Sequence, residues 1–455
     1  MKKILYSVYI FSIFSCSNFT DVGVPSDQIT TELVFKDEAL ANAAMAGVYN
    51  SLQLAGFLCG SSSGSNVSLA CYTDELNSLE NPFSDLSQFF LLTHNASNSF
   101  VGNLWATTYN QIYNVNAIIE GLEKSNELDT DFKNRLLGEA LVIRAILHLY
   151  LTSTFGDIPI VTTTFYPINN TVTRSSQIEV YTQVRNDLTK AEELLPSSLP
   201  PGNRSRPTKV VAKALLARIA YFEKDWDTAI FYSSQVIDQP GYSIENNIDN
   251  TFLLNSSSAI WQLLPVSGYT NTQEASFFIP LQAPPPSVAL TTSFLDGFEE
   301  GDLRKVKWVG EIVDKEGIVY SFPFKYKEYS NTAPNVEYSV LLRIEEMYLI
   351  RAEAYIQHNQ FSLGKVDLNV IRNRVDLPNI LSNDRDILLG AVLQERRYEL
   401  FTEFGHRFED LKHAGKLNEQ MITVKPNWSN HFQWWPLPEN ELTLNPNLNP
   451  QNEGY

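Results

Sequence analysis

The sequence predicts a mainly α-helical protein, in which repeated helix pairs form a scaffold that carries loop-rich insertions and a few short strands. Two observations lead to this prediction. Apolar residues recur at steps of three and four over 208–237 and again over 341–374, as they do on one face of an α-helix. Two long stretches, 55–98 and 240–334, lack a strong helical period and concentrate Gly, Ser, Asn and Pro, which indicates loops.

Each of the two periodic segments is typical of a pair of helices joined by a short turn, placed at 358–360 in the second segment. Ala220-Tyr221 and Ala354-Tyr355 occupy equivalent places in the two segments, and so do the Val-Ile pairs at 236–237 and 370–371. A helix pair that recurs in this way resembles a tetratricopeptide unit, which stacks because it cannot bury its apolar face alone. Two unrelated helical hairpins are the alternative.

Further elements are predicted along the chain. Helices are expected at 37–52, 101–124, 131–151, 173–195 and 384–403, the last with Asn383 as its N-cap. Strands are expected at 259–264 and 318–322. We interpret 55–98 and 240–334 as two insertions, and long insertions of this kind usually carry function.

The N-terminus is typical of a bacterial lipoprotein signal. Lys2 and Lys3 precede an apolar run at 4–14, which is too short to span a bilayer, and Ser15-Cys16 follows it. We expect cleavage before Cys16, lipidation of its thiol, and anchoring to a membrane rather than insertion into one. An ordinary secretory signal with an incidental cysteine is the alternative. The predicted organisation is a signal peptide at 1–15, an N-terminal helical region with the first ligand loop at 16–240, and a C-terminal region with the second insertion and second helix pair at 241–455.

The net charge limits the classes of partner that this protein can bind, and the cysteine count limits its disulfides. A net charge of −18 and a pI of about 4.8 argue against nucleic acid as a partner, because a phosphate backbone requires a basic surface. Neutral ligands remain compatible. Three cysteines do not make a disulfide framework, and Cys59 with Cys71 can be either a pair or two buried thiols.

Two sequence patterns found in enzymes are present, but the neighbouring residues do not form the structural elements that such active sites need. Residues 60–64 (GSSSG) match G-x-S-x-G, yet no hydrophobic strand precedes them and polar sequence follows. Glu299, Glu300 and Asp302 can suggest paired glycosidase carboxylates, but acids beside glycines are more often a solvated turn. The six histidines do not fall in metal-ligand spacing, so no metal or cofactor is predicted. We therefore expect a protein that is not an enzyme.

Charged residues at four-residue steps mark the last long helix. Glu395, Glu399, Glu403 and Arg407 follow one another at this spacing, with Arg396 beside them. Charges so spaced share one helix face. We interpret them as an ion-pair network that holds this helix.

Several motifs in order resemble one family. They are Cys16, 71–75 (CYTDE), 149–159 with FGDIP, 206–209 (RPTK), 301–304 (GDLR), 342–355, 368–374, 394–411, 435–438 (WPLP) and 452–455 (NEGY). The ordered set is similar to the SusD/RagB-like outer-membrane lipoproteins of nutrient-uptake systems. This resemblance implies a scaffold of tetratricopeptide-like pairs whose loop-rich face captures glycans, or peptides in some members, above a TonB-dependent SusC-like transporter. It also assigns Asp302 and Arg304 to structure.

Aromatic side chains on loops are the candidate ligand contacts, because sugar rings present apolar faces that pack on aromatic rings. In the two insertions the candidates are Tyr72, Phe83, Phe89, Phe90, His94, Tyr269, Phe277, Phe278 and Trp308. Aromatic residues on helix stripes are expected in the core, namely Tyr109, Tyr113, Tyr221, Tyr348 and Tyr355; Trp428, Trp434 and Trp435 are expected to close the structure.

The predicted function is a surface-anchored glycan-binding component of an outer-membrane uptake complex, with its ligand site where the two insertions meet. The alternatives are capture of peptides, a helical-repeat scaffold that binds no ligand, and, with the weakest support, a hydrolase.

Overall fold

The computed structural model describes residues 31–200, 203–265, 271–330, 332 and 334–455. Helices make up 54% of the structure and strands 7%, which confirms the mainly α-helical prediction. The helices of the first half are α1 Thr31–Val34, α2 Glu38–Leu54, α3 Ser65–Tyr72, α4 Asp85–Leu91, α5 Ser99–Lys124, α6 Thr130–Phe155, α7 Tyr166–Asn169, α8 Gln177–Leu194, α9 Lys209–Glu223 and α10 Trp226–Ile237.

The second half mixes short helices with long ones. Its helices are α11 Gln273–Phe278, α12 Thr292–Leu295, α13 Leu303–Lys307, α14 Ile344–Gln357, α15 Phe361–Arg374, α16 Arg385–Glu399, α17 His406–His413, α18 Leu417–Val424 and α19 Glu439–Leu444. The strands of the whole chain are β1 Leu76–Ser78, β2 Ala259–Leu263, β3 Val288–Leu290, β4 Val309–Val313, β5 Val319–Pro323 and β6 Ser339–Arg343. Within the described residues they form three antiparallel pairs, β1–β3, β2–β6 and β4–β5.

The two predicted helix pairs are α9–α10 and α14–α15. Helix α10 packs directly on α14, so the pairs stack as their one-sided apolar faces require. Helix α6 packs between α5 and α8 in the same scaffold. It is long and apolar enough to cross a membrane, with a mean hydropathy of 1.4, but 94% of that stretch is buried inside the protein. Its apolar composition therefore reflects a core position.

The strand predictions at 259–264 and 318–322 are confirmed by β2 and β5. Several helix boundaries differ: α8 begins at Gln177 rather than at 173, and α6 continues to Phe155 rather than ending at 151. The second repeat does not begin as a helix at Leu341, because residues 339–343 form β6 and pair with β2. Helix α16 takes Asp384, not Asn383, as its N-cap and ends at Glu399 rather than at 403. Thr402 and Phe404 have positive φ values, which end the helical path before Gly405.

The first insertion is more ordered than predicted, since 55–98 contains α3, β1 and α4. All eight residues of α3 are buried. A helix that is covered on every side has no polar face, so its sequence carries no amphipathic period. For this reason the sequence pattern indicated a loop where the protein forms a core helix.

A buried ion-pair network joins α16 to the second insertion. Arg304 lies 2.8 Å from Asp302, 2.9 Å from Glu395 and 3.4 Å from Glu399, and all four side chains are at most 1% exposed. An ion-pair network that holds this helix was predicted, but the prediction that the charges pair with one another along one helix face was wrong. Its carboxylates pair with arginines from other segments, because α16 is buried between those segments rather than exposed along one face. Asp302 and Arg304 have the structural role that the resemblance implied.

Candidate functional site

The two insertions meet through backbone hydrogen bonds. Strand β1 of the first insertion pairs with β3 of the second, with Leu76 opposite Leu290 and Ser78 opposite Val288. The pairing extends beyond the strands, since the Leu79 amide donates to the Ser287 carbonyl over 2.7 Å. The expectation that the two insertions lie side by side is therefore confirmed.

A cleft of about 350 Å³ lies beside this strand pair. Three segments far apart in sequence form its walls: the first insertion, the start of α12, and the segment that follows α18. Its lining residues are Thr73, Asp74, Asn77, Phe90, Leu91, Leu92, Thr291, Thr292, Ser293, Val424, Lys425, Pro426 and Asn427. The cleft size falls at the lower end of the range for small-ligand sites, which starts at roughly 300 Å³.

The accessible part of the cleft is rich in neutral polar groups. Thr292, Ser293 and Asn427 are exposed, and Asn77 is half-buried, so hydroxyl and amide groups face solvent. The half-buried ring of Phe90 supplies an apolar wall. A combination of one aromatic face with hydroxyl and amide partners suits a ligand that carries both apolar faces and hydroxyl groups.

The two charged lining residues are already paired within the protein. Lys425 is buried, and its Nζ donates to the carbonyl of Cys71 and, over 2.9 Å, to that of Phe90. Burial lowers the pKa of Lys425 to about 7. Asp74 accepts two hydrogen bonds of 2.8 Å from Arg407 and one of 3.0 Å from Arg397. Burial opposes its ionisation, but Arg407 and then Arg397 hold the pKa of its carboxyl below the usual value.

The pKa of Glu75, the neighbour of Asp74, is shifted in the opposite direction. Burial, followed by the charge of Asp74, raises the pKa of its carboxyl to about 8. It accepts a hydrogen bond of 3.3 Å from the Thr402 amide. Glu75 is thus a neutral structural group at pH 7 that ties β1 to the segment after α16.

Among the predicted ligand contacts, Phe90 lines the cleft, whereas five others are corrected because they are buried. Tyr72 is 0% exposed, and its hydroxyl donates to the Phe432 carbonyl over 2.8 Å. Phe89 stacks on Trp435 with ring centroids 4.3 Å apart. His94 hydrogen-bonds Tyr455, and burial lowers its pKa to about 3.

Trp308 is the fourth buried candidate; its indole N–H donates to the Ile248 carbonyl over 3.3 Å. Trp308 packs in the smaller core that the two insertions share, whereas Tyr72 and Phe89 pack in the main core of the protein. The candidate Phe278 is likewise buried in the second insertion. None of these rings can offer a face to a ligand without unfolding the segment around it.

The remaining candidates lie away from the cleft or outside the described residues. Phe83 is 88% exposed on the first insertion, and Phe277 is half-buried against Phe278. Cys16 and Tyr269 fall outside the described residues. Tyr113, expected in the core, is 48% exposed.

Sequence reasoning missed the polar side of the cleft. Asn77, Ser293 and Asn427 come from three separate segments, and nothing in their local sequence distinguishes them from ordinary turn residues. Only the β1–β3 register and the position of α18 bring them together.

The residues considered for nucleophilic, glycosidase or metal chemistry have structural partners or lie in a turn. Ser62 lies in an exposed turn, and the flanking Ser61 and Ser63 hydroxyls contact the Cys59 thiol over 2.9 and 3.2 Å. Cys59 and Cys71 are separate buried thiols. Glu299 pairs with Arg372 over 2.7 Å. In the part of the chain that the structure describes, no three His, Cys, Asp or Glu side chains cluster as metal ligands do.

Comparisons with known proteins agree with this architecture. A family profile described as starch-binding and associating with the outer membrane matches residues 19–221, and a SusD family profile matches 315–413. SusD-like protein P2 of Formosa agariphila is 26% identical over 100% of this chain and 99% of its own. A SusD superfamily structure from Bacteroides vulgatus superposes with a TM-score of 0.79 at 23% identity, covering 92% of this chain and 100% of its own. A laminarin binding SusD-like protein superposes with a TM-score of 0.77 at 22% identity, covering 92% and 100%.

Proposed function

Because this chain belongs to the SusD/RagB-like family, we propose that it is the surface-anchored glycan-binding component of an outer-membrane uptake complex. Its cleft beside the β1–β3 pair binds a neutral oligosaccharide and delivers it to a TonB-dependent SusC-like transporter. The observation that carries this proposal is the pairing of β1 with β3, which joins both insertions into one cleft wall.

The chemistry of the cleft favours a neutral saccharide over a charged one. The charges of Asp74 and Lys425 are satisfied by Arg407 and by backbone carbonyls, so a charged ligand would have to compete with those partners. The hydroxyl and amide groups of Ser293 and Asn427 remain accessible to ligand hydroxyls. The ring of Phe90 can pack against the C–H face of a sugar.

The names of similar proteins support the same ligand class. One matching family profile is described as starch-binding, and one similar structure is named as laminarin binding. Starch and laminarin are both neutral glucans. The transporter partner and the lipid anchor at Cys16 rest on the family resemblance and on the N-terminal sequence pattern.

Two measurements test the proposal. The purified protein is applied to an array of neutral, uronic and sulfated oligosaccharides, and we expect binding to neutral glucans with dissociation constants between about 1 µM and 1 mM. Extraction of native membranes in mild detergent should recover the protein together with a large β-barrel. Absence of binding to every neutral glycan contradicts the ligand class, whereas recovery as a single chain contradicts the transporter complex.

The proposed activity is binding without turnover. Neutral polysaccharides incubated with the protein should keep their length distribution, as read by size-exclusion chromatography. Cleavage that disappears in Ser62→Ala would contradict this and would revive the G-x-S-x-G motif as a catalytic element.

A further inference from the structure

The loop between α6 and α8 exposes a run of apolar side chains. Phe165, Tyr166 and Ile168 are 57%, 71% and 57% exposed, and no residue of α7 is buried. The surrounding residues 158–173 contain no Asp, Glu, Lys or Arg, although the whole chain carries a net charge of −18. Consecutive exposed apolar residues are unusual on a protein surface unless they contact another surface. We call residues 165–168 the apolar tip.

Hydrogen bonds hold the loop that carries the apolar tip. Glu120 Oε1 accepts from the Thr163 hydroxyl and from the Thr164 amide, each over 2.8 Å, and Oε2 accepts from the Thr164 hydroxyl over 2.7 Å. At the base of the loop, the amides and carbonyls of Ile158 and Ser175 pair over 3.1 and 2.8 Å. These bonds oppose folding of the tip back onto the protein, so the apolar side chains stay exposed.

The apolar tip lies on the side of the protein from which the N-terminus leaves. Thr164, directly before the tip, lines a cavity of about 580 Å³ together with Phe35 and Lys36. The first described element, α1, begins at Thr31, close to these two residues in sequence. From Cys16 to Thr31 the chain can span at most about 50 Å. An acyl chain on Cys16, which is part of the proposed function, therefore keeps this side of the protein near the bilayer.

The size of the apolar tip favours a lipid surface over a protein partner. At about 200 Å² for a large side chain, the exposed fractions of Phe165, Tyr166 and Ile168 offer roughly 350 Å² of surface. A stable protein interface buries about 800 Å² on each partner. A few aromatic and aliphatic side chains suffice for shallow insertion between lipid headgroups, and the phenol of Tyr166 suits that depth.

The charges near the apolar tip balance one another. Lys36 and Lys124 line the neighbouring cavity together with Glu120 and Glu127. Lys36 pairs with Glu127 over 3.6 Å. These four side chains give no net positive charge to attract anionic lipids, and the overall charge of −18 repels such lipids. A contact with lipid must therefore come from apolar surface, and it should not weaken as salt screens charges.

We propose that the apolar tip inserts into the headgroup region of a lipid bilayer and provides a second point of membrane attachment beside the acyl anchor. Membrane attachment through one signal is marginal, whereas two signals together hold a protein stably. Two points of attachment also limit rotation of the protein about its N-terminal tether. Without an acyl chain, the tip alone binds lipid weakly and reversibly.

The first test is flotation with neutral phosphatidylcholine vesicles. It uses the chain from residue 16 onward with Cys16→Ala, so that no acyl chain contributes. We expect part of the protein to float at high lipid concentration, equally at low and high salt. Phe165→Asp should weaken partitioning about tenfold or more, the usual value of burying a Phe ring. Asp suits position 165, the N-cap of α7, so this variant should fold.

Phe231→Asp is the matched control, because Phe231 is 58% exposed on α10, outside the uncharged loop. It should float like the parent chain. Equal losses in the Phe165 and Phe231 variants overturn the proposal, as does flotation that disappears at high salt. Phe165→Asp should bind neutral glucans like wild type, so failure of the glycan cleft is read separately. Failure of the anchor is read from cells that express full-length Cys16→Ala.

The second test places a polarity-sensitive dye on Ile168→Cys in the lipid-anchored protein, reconstituted into the same vesicles. Cys59 and Cys71 are buried, so labelling is selective. We expect a blue shift of the dye emission at position 168 and none for the same dye on Phe231→Cys. A dye at 168 that reports water in these vesicles overturns the proposal. A shift that appears only when other membrane proteins are present also overturns it, in favour of a protein partner.

Discussion

Thr291 Oγ1 donates a hydrogen bond of 2.6 Å to the backbone carbonyl of Asp74, which lies 217 positions earlier in the chain. The side chain of the same Asp74 accepts two hydrogen bonds of 2.8 Å from Arg407 on α17. Through this one residue, the first insertion is fixed both to the second insertion and to the C-terminal helices. The shape of the proposed glycan cleft is therefore set by three distant parts of the sequence.

Phe90→Ala should weaken binding of neutral gluco-oligosaccharides about tenfold or more, because the variant removes the aromatic wall of the cleft. The backbone carbonyl that accepts from Lys425 is retained, so the fold should persist. Isothermal titration calorimetry with laminarihexaose measures the effect. Phe83→Ala is the matched control, since that ring is 88% exposed and does not line the cleft. Equal losses in both variants would place the site elsewhere.

Tyr72→Ala should destabilise the protein by about 3–5 kcal/mol, which is the usual range for truncation of a buried aromatic ring. The ring is fully buried against Phe408 and Trp428, and its hydroxyl holds the Phe432 carbonyl. Urea denaturation followed by circular dichroism gives the free energy of unfolding. Tyr113→Ala, at a 48% exposed position, serves as the control and should change it far less. Unchanged stability with lost ligand binding in Tyr72→Ala would restore Tyr72 as a ligand contact.

Arg304→Met should destabilise the protein by about 3–5 kcal/mol, because it leaves the buried carboxylate of Asp302 without its cationic partner and removes one of the arginines that Glu395 and Glu399 share. Asp302, Glu395 and Glu399 all lie within 3.4 Å of its guanidinium group. Chemical denaturation at pH 7 measures the loss. Lys190→Met removes an exposed ion pair with Glu193 and should cost at most about 0.5 kcal/mol. Similar small effects in the two variants would show that the buried network is dispensable.

His148 should make the protein less stable as the pH falls below 6.5. It is fully buried, its Nε2 accepts from the Val161 amide over 3.2 Å, and burial lowers its pKa to about 4. The unfolded chain binds a proton near pH 6.5, whereas the folded chain resists it until about pH 4, so stability is lost across that window.

From pH 7 to pH 5 this histidine alone accounts for about 2 kcal/mol of lost stability. His148→Gln should therefore show a smaller decrease than wild type when unfolding free energies are compared at the two pH values. His431→Gln, at a half-buried position near the C-terminus, is the control and should retain the wild-type decrease. A decrease in His148→Gln as large as that of wild type contradicts the assignment.

Cys16→Ala should release the protein from the membrane, because stable anchoring by lipid requires acyl chains on that cysteine. Membrane and soluble fractions of cells that express each form are compared by immunoblotting. Cys59→Ala is the control, since its thiol is buried in the folded chain. Continued sedimentation of Cys16→Ala with membranes would favour an ordinary signal peptide and a different mode of attachment.

Much of the scaffold follows from the sequence alone. The helix pairs at 208–237 and 344–374 carry the 3.6-residue apolar period on one face, and a one-sided face demands a stacked neighbour. The strands at 259–263 and 319–323 also have local signals. Helix α10 shows why such a pattern persists: its buried residues Ala229, Ser233 and Val236 lie at steps of four and three, so the core contacts one side of the helix.

Tertiary structure decided the rest, since burial on all sides erases local patterns. Helix α3 has no polar face, so its sequence carries no helical period, and Leu341–Arg343 extend because β2 lies beside them. The role of an aromatic residue in an insertion depends on what covers it: Tyr72 is enclosed by α17 and the C-terminal segment, whereas Phe90 lines a cleft. The sequence alone established the residue types available for glycan binding, but only long-range packing determined which of them solvent can reach.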